Sequence, residues 1–225
     1  MNFKKTAIGS ILALAALQAH AIPIVGTSTG SFSNVLGCEW YEQCGIYGLG
    51  KSEVLWGGNL LQAPSKLIAE TVNINTETDA YGVVIGKLTW YNAATLDLTT
   101  PDLFSVDWTL NISFTQPSAS ADSEVFNLSI SNTTNPSPDS IKGFTLADLG
   151  NLSFTLDGVT MSGLTYDVVD LGGNSGASGC SGDDTSLSGS TWSNCEGNTA
   201  SLLIKANFTS SPTTVPEPGT LALFS

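Results

Sequence analysis

The sequence predicts an all-β chain: a single antiparallel β-sandwich, jelly-roll-like, over residues 22–209. Three observations carry that expectation. Phe104, Val106, Trp108, Leu110, Ile112 and Phe114 alternate with Ser105, Asp107, Thr109, Asn111 and Ser113. Such period-two patterning describes a strand with one buried and one wet face. No stretch keeps an apolar period of 3.6 residues. Turn signals recur between the apolar runs: Gly57-Gly58, Gln116-Pro117-Ser118, Asn135-Pro136-Ser137-Pro138 and Asp157-Gly158. Eight to ten strands at this spacing favour a sandwich over a membrane barrel.

From the N-terminus, residues 1–21 have the make-up of a secretory signal peptide. Lys4 and Lys5 precede an apolar stretch over 7–17 and an Ala19-His20-Ala21 site. That stretch is shorter than the about 20 residues needed to span a bilayer. Cleavage is expected between Ala21 and Ile22. It removes two lysines and the only histidine, taking the formal net charge from −13 to −15. Five lysines remain and no arginine. A chain without guanidinium groups or a basic stripe is a poor fit to nucleic acid and is repelled by anionic membranes.

Four cysteines suit an exported chain. Three pairings are possible. The local ones, Cys38–Cys44 and Cys180–Cys195, are preferred because each closes a Gly- or Ser-rich loop, stabilising by roughly 2–3 kcal/mol. Zinc-type C-x₂₋₄-C spacing is absent.

Further strands are expected at 53–56, 66–75, 82–91, 126–130, 152–156, 164–169 and 202–208. Asp157-Gly158 suggests a tight hairpin. Residues 171–197 are Gly/Ser/Asn/Asp-rich and read as a long surface excursion. Residues 210–214 form a polar linker.

Without histidine the mature chain can build neither a Ser-His-Asp arrangement nor a histidine-ligated zinc. Carboxylate-pair glycoside hydrolysis needs only two acids, and Asp102, Asp107, Glu124 and Asp167 are the candidate acids. None lies in a recognisable glycosidase pattern, and Asp107 reads as a solvated charge. Calcium takes oxygen ligands from loops, so Asn174, Asp183 and Asp184 form a candidate calcium set. Sugar sites pair an exposed aromatic with polar groups. Trp192, in the polar loop, and Trp40 and Tyr41, in the Cys38–Cys44 loop, are the candidate glycan contacts.

Two resemblances add a destination. Val215-Pro216-Glu217-Pro218, followed by Leu221, Ala222, Leu223 and Phe224, resembles the PEP-CTERM sorting signal of Gram-negative bacteria. The resemblance implies exosortase-type machinery as a partner and a cell-surface or matrix location. In that family a spanning helix and arginines follow the triplet. Here seven residues follow Pro218 and none is arginine, so stable membrane anchoring through residues 215–225 is not expected. Such tails are also labelled as ice-binding C-terminal domains. Thr27-Ser28-Thr29 and Thr76-Glu77-Thr78 look isolated rather than ranked, so that label is taken to describe the tail.

Gly30-Ser31-Phe32-Ser33-Asn34, Leu55-Trp56-Gly57, Ile85-Gly86-Lys87-Leu88-Thr89-Trp90-Tyr91-Asn92 and the strand 104–114 occur in the order of the choice-of-anchor K domain. The match runs over 29–170 and implies an all-β exported domain without assigned catalytic residues. The expectation is therefore a non-enzymatic surface or matrix protein associated with exopolysaccharide and biofilm. The alternatives are a glycan-binding module, calcium-assisted, and a carboxylate glycosidase.

Overall fold

The computed structural model describes residues 21–38, 45–57, 63–93, 102–133, 137–173 and 185–211. Twelve strands occur among them: β1 (Pro23–Leu36), β2 (Glu53–Trp56), β3 (Ser65–Glu70), β4 (Val72–Glu77), β5 (Ala80–Tyr91), β6 (Leu103–Gln116), β7 (Ser120–Ser131), β8 (Asp139–Lys142), β9 (Val159–Gly173), β10 (Thr185–Ser188), β11 (Thr191–Asn194) and β12 (Asn198–Ser210). They form two antiparallel sheets packed as a sandwich. One has seven strands, ordered β10-β11-β8-β7-β6-β1-β4, and the other five, ordered β2-β3-β5-β12-β9.

The alternation of β6 sets the core. The six apolar residues from Phe104 to Phe114 are all buried, and β1 and β7 flank the strand in register. Phe32, Trp108 and Phe126 line up across these three strands, and Trp108 stacks on Phe126 at 4.9 Å. Burying an aromatic of this size contributes on the order of 4–6 kcal/mol before entropy is charged against it. The approach is close enough to require glycine beside it. A Cβ on Gly30 would collide with the Trp108 ring nitrogen and the Ala69 methyl.

Three expectations need correction. The run 66–75 is two strands in different sheets, with Thr71 between them. Residues 152–156 are not a strand. Leu152 and Leu156 are buried, but pairing is limited to a Leu156–Val159 bridge across the Asp157-Gly158 turn. Gly158 is left-handed there (φ 71°) and Asp157 is not, so the turn is not the type I′ hairpin that Asp-Gly favours. Finally, part of the supposed 171–197 excursion is structured. β9 continues to Gly173, and β10 and β11 form a hairpin turning at Gly189 and Ser190.

A four-residue helix, α1 (Leu146–Leu149), joins β8 to β9. Thr145 caps it, accepting from the Asp148 amide at 3.1 Å and donating to its carboxylate at 2.6 Å.

Candidate functional site

Strand parity decides what the seven-stranded sheet shows to solvent. On β6 the buried residues are even-numbered, so Ser105, Asp107, Thr109, Asn111, Ser113 and Thr115 point outward. On β1 the outward set is Thr27, Thr29, Ser31 and Ser33. Cross-strand register joins these into rows. One runs Asn73, Thr27, Ser113, Ala121. The next runs Thr29, Asn111, Ser123, then Ser31, Thr109, Val125, and then Ser33, Asp107, Asn127. Neighbouring strands lie about 4.8 Å apart and successive outward residues roughly 7 Å apart along a strand. The result is a two-dimensional grid of hydroxyls and amides. Thr27-Ser28-Thr29, isolated in the sequence, begins a four-hydroxyl rank along β1.

The grid is concave at its centre. Thr27, Thr29, Asn111, Ser113 and Ser123, with Asp122 at the side, line a depression of about 390 Å³. The sequences of β1, β4, β6 and β7 contain no lysine or arginine. Asp107 is more than a solvated charge. It accepts from Asn34 Nδ2 and Asn127 Nδ2, each at 2.8 Å, and Asn34 takes a left-handed conformation (φ 50°) beside it. These amides hold the carboxylate without a cation. Hydroxyl and amide groups on this spacing can donate and accept hydrogen bonds to a neutral polar polymer.

A second polar region lies inside one end of the sandwich, where Ser65, Asn92, Asp139, Asn194, Glu196 and Asn198 are buried. Asn92 Nδ2 donates to Asn194 O at 2.9 Å, and Asn198 Nδ2 to Asn194 Oδ1 at 2.9 Å and Asp170 Oδ1 at 3.0 Å. Burial, with the Glu196 charge adding to it, pushes the Asp139 carboxyl up to about 6. The hydrogen bonds from Thr133 and the nearby Asn92 amide oppose that rise and are outweighed.

Trp192 must be reassigned. It is 0% exposed, packed edge-on to Trp90 at 5.3 Å and Phe144 at 6.0 Å, with Nε1 donating to Thr185 Oγ1 at 2.9 Å. Both ring faces belong to the core, so it offers no platform for a sugar. Trp40, Tyr41, Asn174, Asp183, Asp184 and the motif Val215, Pro216, Glu217, Pro218 lie outside the described residues. Cys38 and Cys195 are each in a disulfide. Their expected partners, Cys44 and Cys180, also lie outside. Next to Ala21, Ile22 is tied by its amide to Thr78 Oγ1 at 3.0 Å and by its carbonyl to the Thr78 amide.

The acids considered for glycoside hydrolysis are dispersed. Asp107 and Glu124 have opposite parity in the seven-stranded sheet, whereas Asp167 pairs with Lys205 in the five-stranded one. Among the described residues no three His, Cys, Asp or Glu side chains converge to hold a metal. The grid on the seven-stranded sheet was legible only in part. Alternation exposes its polar residues, but their assembly into rows depends on pairing between distant segments. No protein-family model matches the chain, and no curated protein matches it.

Proposed function

We propose that the chain is a non-enzymatic, exported surface or matrix protein of a Gram-negative bacterium whose seven-stranded sheet lies against exopolysaccharide. The observation that carries this reading is the cation-free grid of Ser, Thr and Asn side chains on β1, β6 and β7, concave at its centre. Polysaccharide hydroxyls match such a surface by exchanging hydrogen bonds, each contributing roughly 0.5–1.5 kcal/mol, so affinity comes from many weak contacts. The signal-like residues 1–21 and the Pro-Glu-Pro motif support export, with exosortase-type machinery as the partner. The pairings Cys38–Cys44 and Cys180–Cys195 belong to the same proposal.

Affinity electrophoresis through gels containing extracellular polysaccharide tests it. Retardation should be saturable and persist at high salt, because neutral hydrogen bonds are not screened as charges are. Unretarded migration through neutral and acidic polysaccharides alike would refute the reading.

A further inference from the structure

The outer face of the five-stranded sheet carries a pocket that the polysaccharide reading does not use. Val54 and Trp56 on β2, Leu67 on β3 and Trp90 on β5 point inward and are 0% exposed. Glu53, Leu55, Lys66 and Tyr91 therefore point outward. Leu55, Lys66 and Tyr91 form one row across the three strands, and Glu53 stands diagonal to Lys66. Ala63 and Pro64, leading into β3, complete the lining of a pocket of about 350 Å³. That is the small end of the roughly 300–1,000 Å³ range of small-molecule sites. The wall at Pro64 is fixed in place. Next to it, buried Ser65 Oγ accepts from the Ala93 amide at 3.0 Å, which ties the start of β3 to the chain leaving β5.

The charges in this pocket differ from the others on the same face. Lys87 and Lys205 are each paired with an acid. Lys66 and Glu53 are half-buried and line one pocket, yet neither enters an ion pair among the described residues. Diagonal neighbours on paired strands have Cβ atoms roughly 7 Å apart, which leaves room between the two end groups. A neutral ligand leaves both charges unused. An anion is attracted by Lys66 and repelled by Glu53, and a cation meets the reverse. A ligand bearing both charges in the opposite order satisfies the two at once. The remaining walls, Leu55, Pro64 and the Tyr91 ring, are apolar.

From this arrangement we propose that the pocket binds a small zwitterion, an α-amino acid with an apolar side chain. Its carboxylate meets the Lys66 ammonium, its ammonium meets the Glu53 carboxylate, and its side chain lies against Leu55, Pro64 and Tyr91. An α-amino acid carries its two charges on neighbouring atoms, which suits a pocket of this size. Both protein charges are partly exposed and screened, so each pair adds little, and the dissociation constant falls near about 1 mM. The site lies on the opposite face of the sandwich from the hydroxyl and amide grid, and it stands independently of polysaccharide binding.

NMR titration of the isotope-labelled full chain with L-leucine tests the assignment. Saturable shifts should centre on the amides of Leu55, Lys66 and Tyr91, with half-saturation near about 1 mM. Leucinamide lacks the carboxylate and N-acetylleucine lacks the ammonium. Each should bind about two- to fivefold more weakly than leucine. K66Q should lose the preference for leucine over leucinamide, and E53Q the preference for leucine over N-acetylleucine, because each variant removes one side of one pair. The three ligands on the unmodified chain keep the proposal testable if a variant does not fold. No saturable shift at about twenty times that concentration would overturn it, as would equal binding of the three ligands or unchanged preferences in both variants.

Discussion

On the outer face of the seven-stranded sheet, the row Ser33, Asp107, Asn127 is held by amide hydrogen bonds to its one carboxylate. The corresponding row of the five-stranded sheet, Glu70, Lys87, Leu203, Asp167, is held by ion pairs. Lys87 meets Glu70 at 2.9 Å and Lys205 meets Asp167. Val169 and Leu171 stand exposed beside them. Both faces rest on one shared core, and the same alternation generates both. The inward half of each strand dictates the fold, leaving the outward half free to specialise. One face became a charged, partly apolar surface bearing Lys66, Lys87 and Lys205. The other became a surface dominated by hydroxyls and amides, with Asp107 held among them.

Removing the shared core should erase the difference between the faces. Trp192→Ala is expected to cost about 3–5 kcal/mol, measured by denaturant unfolding. Polysaccharide retention should be lost only in proportion to the unfolded fraction. Normal stability with selectively lost retention would return Trp192 to the binding surface.

The next effect comes from neither face. Burial raises the Asp139 carboxyl from its ordinary 3.8 to about 6 in the fold. Folding therefore takes up a proton between those values. The penalty for the charged form is absent below about pH 3.8 and complete above about pH 6. As pH rises through that window, stability should fall by roughly 2–3 kcal/mol. Unfolding curves of the unmodified chain and Asp139→Asn measure it, and the variant should lack this component.

Glu70, on the charged face, should respond in the opposite sense and more weakly. Burial works to raise its pKa, but hydrogen bonds from Thr89 and Lys87 and the Lys87 charge together lower it below 4.5. Its contribution is complete above its unfolded value and lost as pH falls through the folded one. Because the pair is partly exposed, Glu70→Gln should cost less than about 1 kcal/mol, with polysaccharide retention unchanged. A double-mutant cycle with Lys87→Met isolates the pair.

Much of the fold could be read from parity. The Phe104–Phe114 alternation became β6, and 202–208 lies inside β12. Parity also marks where the 66–75 reading failed. Leu67 and Ala69 are buried on odd positions and Ile74 on an even one, so the pattern changes phase where the chain passes between sheets. The Leu152, Phe154, Leu156 alternation misled because burial beneath a sheet end needs no strand partner. Trp192 misled because its polar neighbours, Thr191 and Ser193, are the outward half of a short hairpin. The Asp139–Glu196 end left no local signal. It arises where four segments, distant in sequence, close the sandwich.

The most direct measurement compares the two faces in one assay. Thr29→Ala/Asn111→Ala/Ser123→Ala empties the centre of the hydroxyl and amide grid, and Lys87→Ala/Lys205→Ala removes the cations of the ion pairs on the other face. Each exposed substitution in the grid should alter stability by no more than about 0.5 kcal/mol. In affinity electrophoresis the grid variant should lose its retardation by exopolysaccharide while the lysine variant keeps it. Retention by the grid variant, or its loss in the lysine variant alone, would contradict the assignment of the seven-stranded face.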